Sequence, residues 1–110
     1  MEVQYYITEN GIEPVVQWLD SLRDKKTKAR IASHIGRMRH GNFGNSEPVG
    51  DGVSELKMDF GPGYRVYYAK SGAEIVLLLC AGTKKSQDKD IDVAKEYWED
   101  FKERKKKEKQ

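Results

Sequence analysis

The chain has 110 residues, 37% hydrophobic and 35% charged, with a formal net charge of +2. That length fits one domain around one modest core, and the apolar residues are clustered enough to exclude a disordered chain. One cysteine excludes an internal disulfide and a cysteine metal cage and fits a reducing cytoplasm, the start Met1-Glu2-Val3-Gln4 reads as no signal peptide, and no apolar run is long enough for a membrane.

Val3 to Ile7 is short and β-prone, the first expected strand, and Thr8-Glu9-Asn10-Gly11 is turn chemistry. Pro14 suits the first turn of a helix, where its missing N–H does no harm, and Val15, Val16, Leu19 and Leu22 follow at helical spacing with Trp18 alongside. A second helix is expected from Lys25 to Arg39. Its apolar stripe is Ala29, Ile31, Ala32, Ile35 and Met38, and basic residues cover the rest. Glycines and Pro48 then mark a loop or weak edge strand near residues 45–50.

Three strand-like segments follow as a meander: Val53–Phe60, Tyr64–Lys70 and Glu74–Ala81. The last is continuously apolar and reads as a central strand covered on both faces; buried Cys80 lies within it. A final helix from Asp88 to Arg104 carries Ile91, Ala94, Trp98 and Phe101 at helical spacing, with Ser86 or Asp88 as its N-cap. The order β-α-α-β-β-β-α, with an extra short strand near residues 45–50, implies an α+β fold. An N-terminal helical hairpin and a C-terminal helix would lie on one face of an antiparallel sheet of four to five strands. Residues 1–104 form the expected domain and 105–110 a basic, disordered tail.

The near-neutral total hides strong blocks. Residues 21–41 carry seven bases and one acid, while residues 1–20 carry four acids and no base. Such a chain suits one face that meets a polyanion and another that meets something else. Strand parity supplies the candidate face. If Leu56, Met58 and Phe60 pack against the helices, Lys57 looks the other way; if Val66 is core, Arg65 and Tyr67 share the open side. Lys84 and Lys85 leave the end of the central strand beside them.

Lys57, Arg65, Tyr67, Lys84 and Lys85 therefore read as one cationic patch able to hold phosphates and stack a base. Cleavage of RNA by its own 2′-hydroxyl needs a base, a phosphate-binding cation and an acid for the leaving 5′-oxygen. Lys57, crowded by Arg65, is the candidate base, Arg65 the phosphate ligand, and Lys84 or Lys85 the acid or charge stabiliser. No metal or other cofactor is needed. With its side chain in solvent, Arg65→Ala should leave stability unchanged. His34 and His40 read as surface residues away from this patch.

The segments Trp18-Leu19-Asp20-Ser21-Leu22, Gly52 to Lys57, Gly61 to Tyr68, Leu77 to Gln87 and Asp90-Ile91-Asp92-Val93-Ala94 together resemble the RelE/ParE toxin superfamily. The likeness is nearest to its HigB-like addiction module killer branch, also described as phage Gp49-like, and covers roughly residues 3–101. It implies a microbial-ribonuclease-like fold. It also implies a cytoplasmic toxin of a type II toxin-antitoxin system whose RNase members cut mRNA in the ribosomal A site, and a helix-turn-helix antitoxin as partner, through which operator DNA is reached. Lys57, Arg65 and Lys84 match the basic positions of the family. The tyrosine that RelE uses near its C-terminus has no counterpart after Lys85, where Gln87, Asp88 and Asp90 stand and Tyr97 is the next tyrosine; Asp90 is the candidate polar residue there. ParE-like inhibition of DNA gyrase, or a non-catalytic member that binds antitoxin and operator, are the competing functions.

Overall fold

A computed structural model describes residues 1–109. The elements run β1 (Glu2–Tyr5), α1 (Pro14–Ser21), α2 (Lys25–Met38), β2 (Ser46–Gly50), β3 (Val53–Met58), β4 (Tyr64–Ser71), β5 (Ile75–Thr83), a 3₁₀ turn (Lys84–Ser86) and α3 (Gln87–Glu108). Local chemistry sets several of these boundaries. Pro14 sits in the first turn of α1. Asp24 caps α2 by accepting from the Lys26 amide at 3.1 Å. Asp51 and Gly52 both take positive φ (56° and 84°), as a two-residue hairpin between β2 and β3 requires.

The sheet order is β1-β5-β4-β3-β2. β2 through β5 pair antiparallel, but β1 runs parallel to β5, so the sheet is mixed rather than antiparallel throughout. The α1–α2 hairpin carries the chain across one face, from β1 at one edge of the sheet to β2 at the other.

A second expectation is overturned as well: the helices do not share a face. Val15, Ile31, Ile35 and Met38 of α1 and α2 pack on Leu56, Met58, Val66, Tyr68, Val76 and Leu78. On the reverse side, Ala94 and Trp98 of α3 pack on Val53, Tyr67, Ala69, Leu77, Leu79 and Cys80. The apolar stripe of α3 is satisfied only by an apolar sheet face, and β5 offers one on each side. α3 also continues through Lys105, Lys106 and Lys107 to Glu108, where a disordered tail was expected. Cations in its last turn and Asp88 and Asp90 in its first both complement the helix dipole.

This second core makes alkaline pH a test of the packing. Burial pushes the Cys80 thiol up to about 12, with Asp90 adding to the effect. Burial also raises the Tyr6 hydroxyl to about 12, helped by its 2.5 Å hydrogen bond to Asp100. Both groups hold their protons more tightly folded than unfolded, so the stabilisation is complete below their ordinary values and is lost as pH rises towards 12. Thermal melts should show stability falling from about pH 9 upward. Cys80→Ala should lower the melting temperature at pH 7 yet reduce the further drop between pH 7 and 11.

Candidate functional site

Lys57 on β3 and Arg65 on β4 are directly opposed across the antiparallel ladder, and Gly82 on β5 continues the same row. The next row on that face is Glu55, Tyr67 and Cys80. Lys84 joins the first row through the β3–β4 turn. Its amide donates to the Gly63 carbonyl at 2.7 Å, and a Cβ placed on Gly63 would lie 3.3 Å from Lys84 Cβ and 3.6 Å from Arg65 Nη1. The sequence therefore brings Lys57, Arg65 and Lys84 to one corner of the sheet, as strand parity implies.

The corner is not open in the expected way. The first turn of α3 lies over it. Arg65 is 5% exposed and Tyr67 fully buried, so neither stands free in solvent and Tyr67 offers no accessible ring face for a base. Arg65 Nη1 donates to the Tyr64 carbonyl at 3.0 Å and lies 3.7 Å from the exposed Asp59 carboxylate; its Nε has no partner. The Tyr67 hydroxyl is also buried without a partner, and burial raises it far above the usual phenol value, with Glu55 and Asp90 adding to the rise. Lys57 faces Arg65 across the ladder, and its ammonium is also 2.8 Å from the Glu47 carboxylate of the edge strand. Lys84 and Lys85 are exposed.

Asp90 is held inward. It accepts the Ser86 hydroxyl at 2.5 Å, and the same hydroxyl reaches the Thr83 carbonyl at 3.3 Å. Gly82 has no side chain to obstruct this: a Cβ there would fall 2.8 Å from Ser86 Oγ and closer still to Asp90 Oδ2. Sequence reasoning missed Glu55 and Gln87. The Glu55 carboxylate is 2% exposed, and Gln87 Nε2 donates to both its oxygens at 2.9 and 3.0 Å. The missed signal was the parity of Glu55 with Lys57, which puts a carboxylate on the face α3 must cover.

His40 is exposed, but His34 is half-buried and stacked on Phe60 at 6.3 Å. A cleft of about 220 Å³ lies at the other edge of the sheet, between β1 and the second half of α3, and shares no residue with the cationic corner. Among the described residues, no group of acids, histidines and cysteine is placed to hold a metal, and no helix is long and apolar enough to cross a membrane.

Five strands in a mixed sheet with a long C-terminal helix and a basic corner are consistent with a RelE-like fold. The family model described as "Phage derived protein Gp49-like (DUF891)" matches residues 17–99, and the chain belongs to that toxin-like family. A relative from Haemophilus influenzae, described as an uncharacterized protein, is 47% identical over 78 residues, covering 71% of this chain and 79% of that one.

Proposed function

We propose that the chain is the toxin of a type II toxin-antitoxin pair, of the RelE/ParE superfamily and its HigB-like branch, and that it cuts mRNA in the ribosomal A site in the cytoplasm. The observation that carries this reading is the meeting of Lys57, Arg65 and Lys84 at one corner of the sheet. A phosphodiester at that corner displaces the exposed Asp59 from Arg65 and the exposed Glu47 from Lys57. Arg65, buried and donating through Nη1 to the Tyr64 carbonyl, reaches the non-bridging oxygens once the first turn of α3 has moved aside. Lys57 takes the proton of the ribose 2′-hydroxyl, whose oxygen attacks phosphorus. Lys84 gives a proton to the departing 5′-oxygen, leaving a 2′,3′-cyclic phosphate and a 5′-hydroxyl end. Lys85 adds charge for the neighbouring phosphates. Tyr67 and Asp90 serve RNA only if the first turn of α3 moves aside. The neutralising partner in this reading is a helix-turn-helix antitoxin, which also brings the pair to operator DNA.

The burial of Arg65 and Tyr67 favours a second reading, a non-catalytic member that binds antitoxin and operator without cutting RNA. Primer extension on a translated mRNA separates the two. Wild type is expected to give ribosome-dependent cuts and Lys84→Ala to lose them by a factor of about 10²–10⁴, the usual weight of a positioned proton donor. Growth arrest without cuts, or cuts that persist in Lys84→Ala, contradicts the assignment.

A further inference from the structure

The outer face of α2 is the most heavily charged surface that the cationic corner does not use. Lys25, Lys26, Lys28, Arg30, Arg37 and Arg39 lie on or just after α2, and no acidic residue occurs between Asp24 and Glu47. All but Lys28, which pairs with Asp20 at 3.1 Å, are exposed and have no ion-pair partner among the described residues. The inner face is occupied by Ile31, Ile35 and Met38, and the helical repeat brings Lys26, Arg30 and Arg37 together on one exposed side away from it.

Their placement works against the fold. Three lysines stand in the first turn and a half of α2, where the helix dipole is positive, and no acid stands in that first turn. The field they make is felt nearby: burial, then the charges of Arg37 and Arg30, hold the His34 imidazole below its ordinary value. Folding alone gives no reason to concentrate unpaired cations there, but an external polyanion would.

The same face tells which polyanion. From Lys26 to Arg37 the helix advances about 17 Å, a length over which a nucleic-acid duplex presents roughly ten phosphates. Ala29, Ala32 and Ser33 lie exposed among the cations, and a Cβ on Gly36 would meet nothing within 4 Å, so a backbone can approach closely. Among the described residues the aromatic ring that adjoins the α2 cations is that of Phe60. Phe60 is covered by the Arg30 guanidinium at 3.9 Å and by His34. A face of cations without stacking platforms holds phosphates and reads no bases. Through Arg30 and Phe60 it runs on to the β3–β4 turn, beyond which lie Asp59 and Arg65.

We infer that the outer face of α2 is a second binding surface, which docks on the phosphate backbone of a double-helical RNA while the cationic corner on the opposite side of the sheet engages a single strand. The choice of RNA over DNA rests on the proposed function, since the two surfaces meet at one turn and serve one substrate. It gives the toxin a grip on structured RNA that is independent of the scissile site.

The test is fluorescence anisotropy with the full chain, using a non-cleaved RNA hairpin, a single-stranded RNA and a DNA hairpin of the same sequence over a salt series. The variant is Lys25→Gln/Lys26→Gln/Arg37→Gln, whose side chains are exposed and touch neither the core nor the corner. Hairpin Kd should rise at least about tenfold near 0.1 M salt, and the log–log salt slope should shrink by about 2 to 3. Single-strand Kd should stay within about twofold, and the melting temperature should not fall, because the first-turn repulsion is relieved. A hairpin Kd changed less than about threefold overturns the proposal, as does a DNA hairpin bound as tightly as RNA, or displacement by polyglutamate at matched charge, which points to an acidic protein. Loss of cleavage in a translated-mRNA assay bears on the corner alone and leaves this binding result standing.

Discussion

Arg65→Ala is expected to abolish RNA cleavage and to destabilise the protein at the same time. A solvent-facing arginine would give only the first effect, but this one is 5% exposed. Its loss leaves the Tyr64 carbonyl without its 3.0 Å donor and empties the space that the long side chain fills between Gly63 and the first row of the sheet. The charge itself is poorly compensated, with Asp59 at 3.7 Å and mostly in solvent, which limits the penalty for removing it. The net cost should be about 1–3 kcal/mol, or roughly 5–15 °C in melting temperature for a chain of this size. Arg65→Lys keeps the cation and most of the packing but not the planar fork. It should recover most of the stability and little of the cleavage. An Arg65→Ala protein that melts like wild type would mean that the side chain swings free in solution.

Gly82→Ala should be nearly as damaging, through one methyl group. The added carbon would press on Ser86 Oγ and Asp90 Oδ2, so these side chains must swing aside and give up their hydrogen bond, or the start of α3 must move away from β5. Overpacking of this kind costs about 1–3 kcal/mol. It should loosen the Gln87–Glu55 contact as well, leaving a carboxylate that is 2% exposed without its donor. Amide exchange in the first turn of α3 should quicken more than in its later turns. The double variant Gly82→Ala/Asp90→Ala gives the carbon room and should regain part of the loss, a coupling that a thermodynamic cycle measures. Equal stability of Gly82→Ala and wild type would place α3 further from the sheet than described.

The elements and most of their order were legible because hydrophobic period and turn chemistry are local. Pro14, the Thr8-Glu9-Asn10-Gly11 turn and the alternation through Leu56 and Met58 each act within a few residues. The co-location of Lys57, Arg65 and Lys84 was legible for the same reason, since parity and turn length settle it. The covering of that face was not, although the clue was present. A continuously apolar β5 implies two covered faces, and the stripe Ile91, Ala94, Trp98 and Phe101 had to find one of them. Which face a helix takes is a tertiary choice that its own sequence does not encode. The parallel pairing of β1 was hidden likewise, because four residues with no turn to a neighbour carry no directional signal. Ion pairing was the third blind spot. Glu47 on the edge strand reaches Lys57 only because β2 pairs with β3 in a particular register, so a carboxylate joins Arg65 beside the proposed base.

The decisive property of the corner formed by Lys57, Arg65 and Lys84 is whether it makes RNA break itself. The most direct measurement is the chemistry of the new ends. A translated mRNA is exposed to the toxin, ribosomes are removed, and the fragments are mapped with and without enzymatic removal of cyclic phosphate and with polynucleotide kinase labelling. Internal attack gives 2′,3′-cyclic phosphate on the upstream fragment and a 5′-hydroxyl on the downstream one, and both should vanish with Lys84→Ala. Fragments ending in 3′-hydroxyl and 5′-phosphate, or an mRNA left whole while cells stop growing, would contradict it.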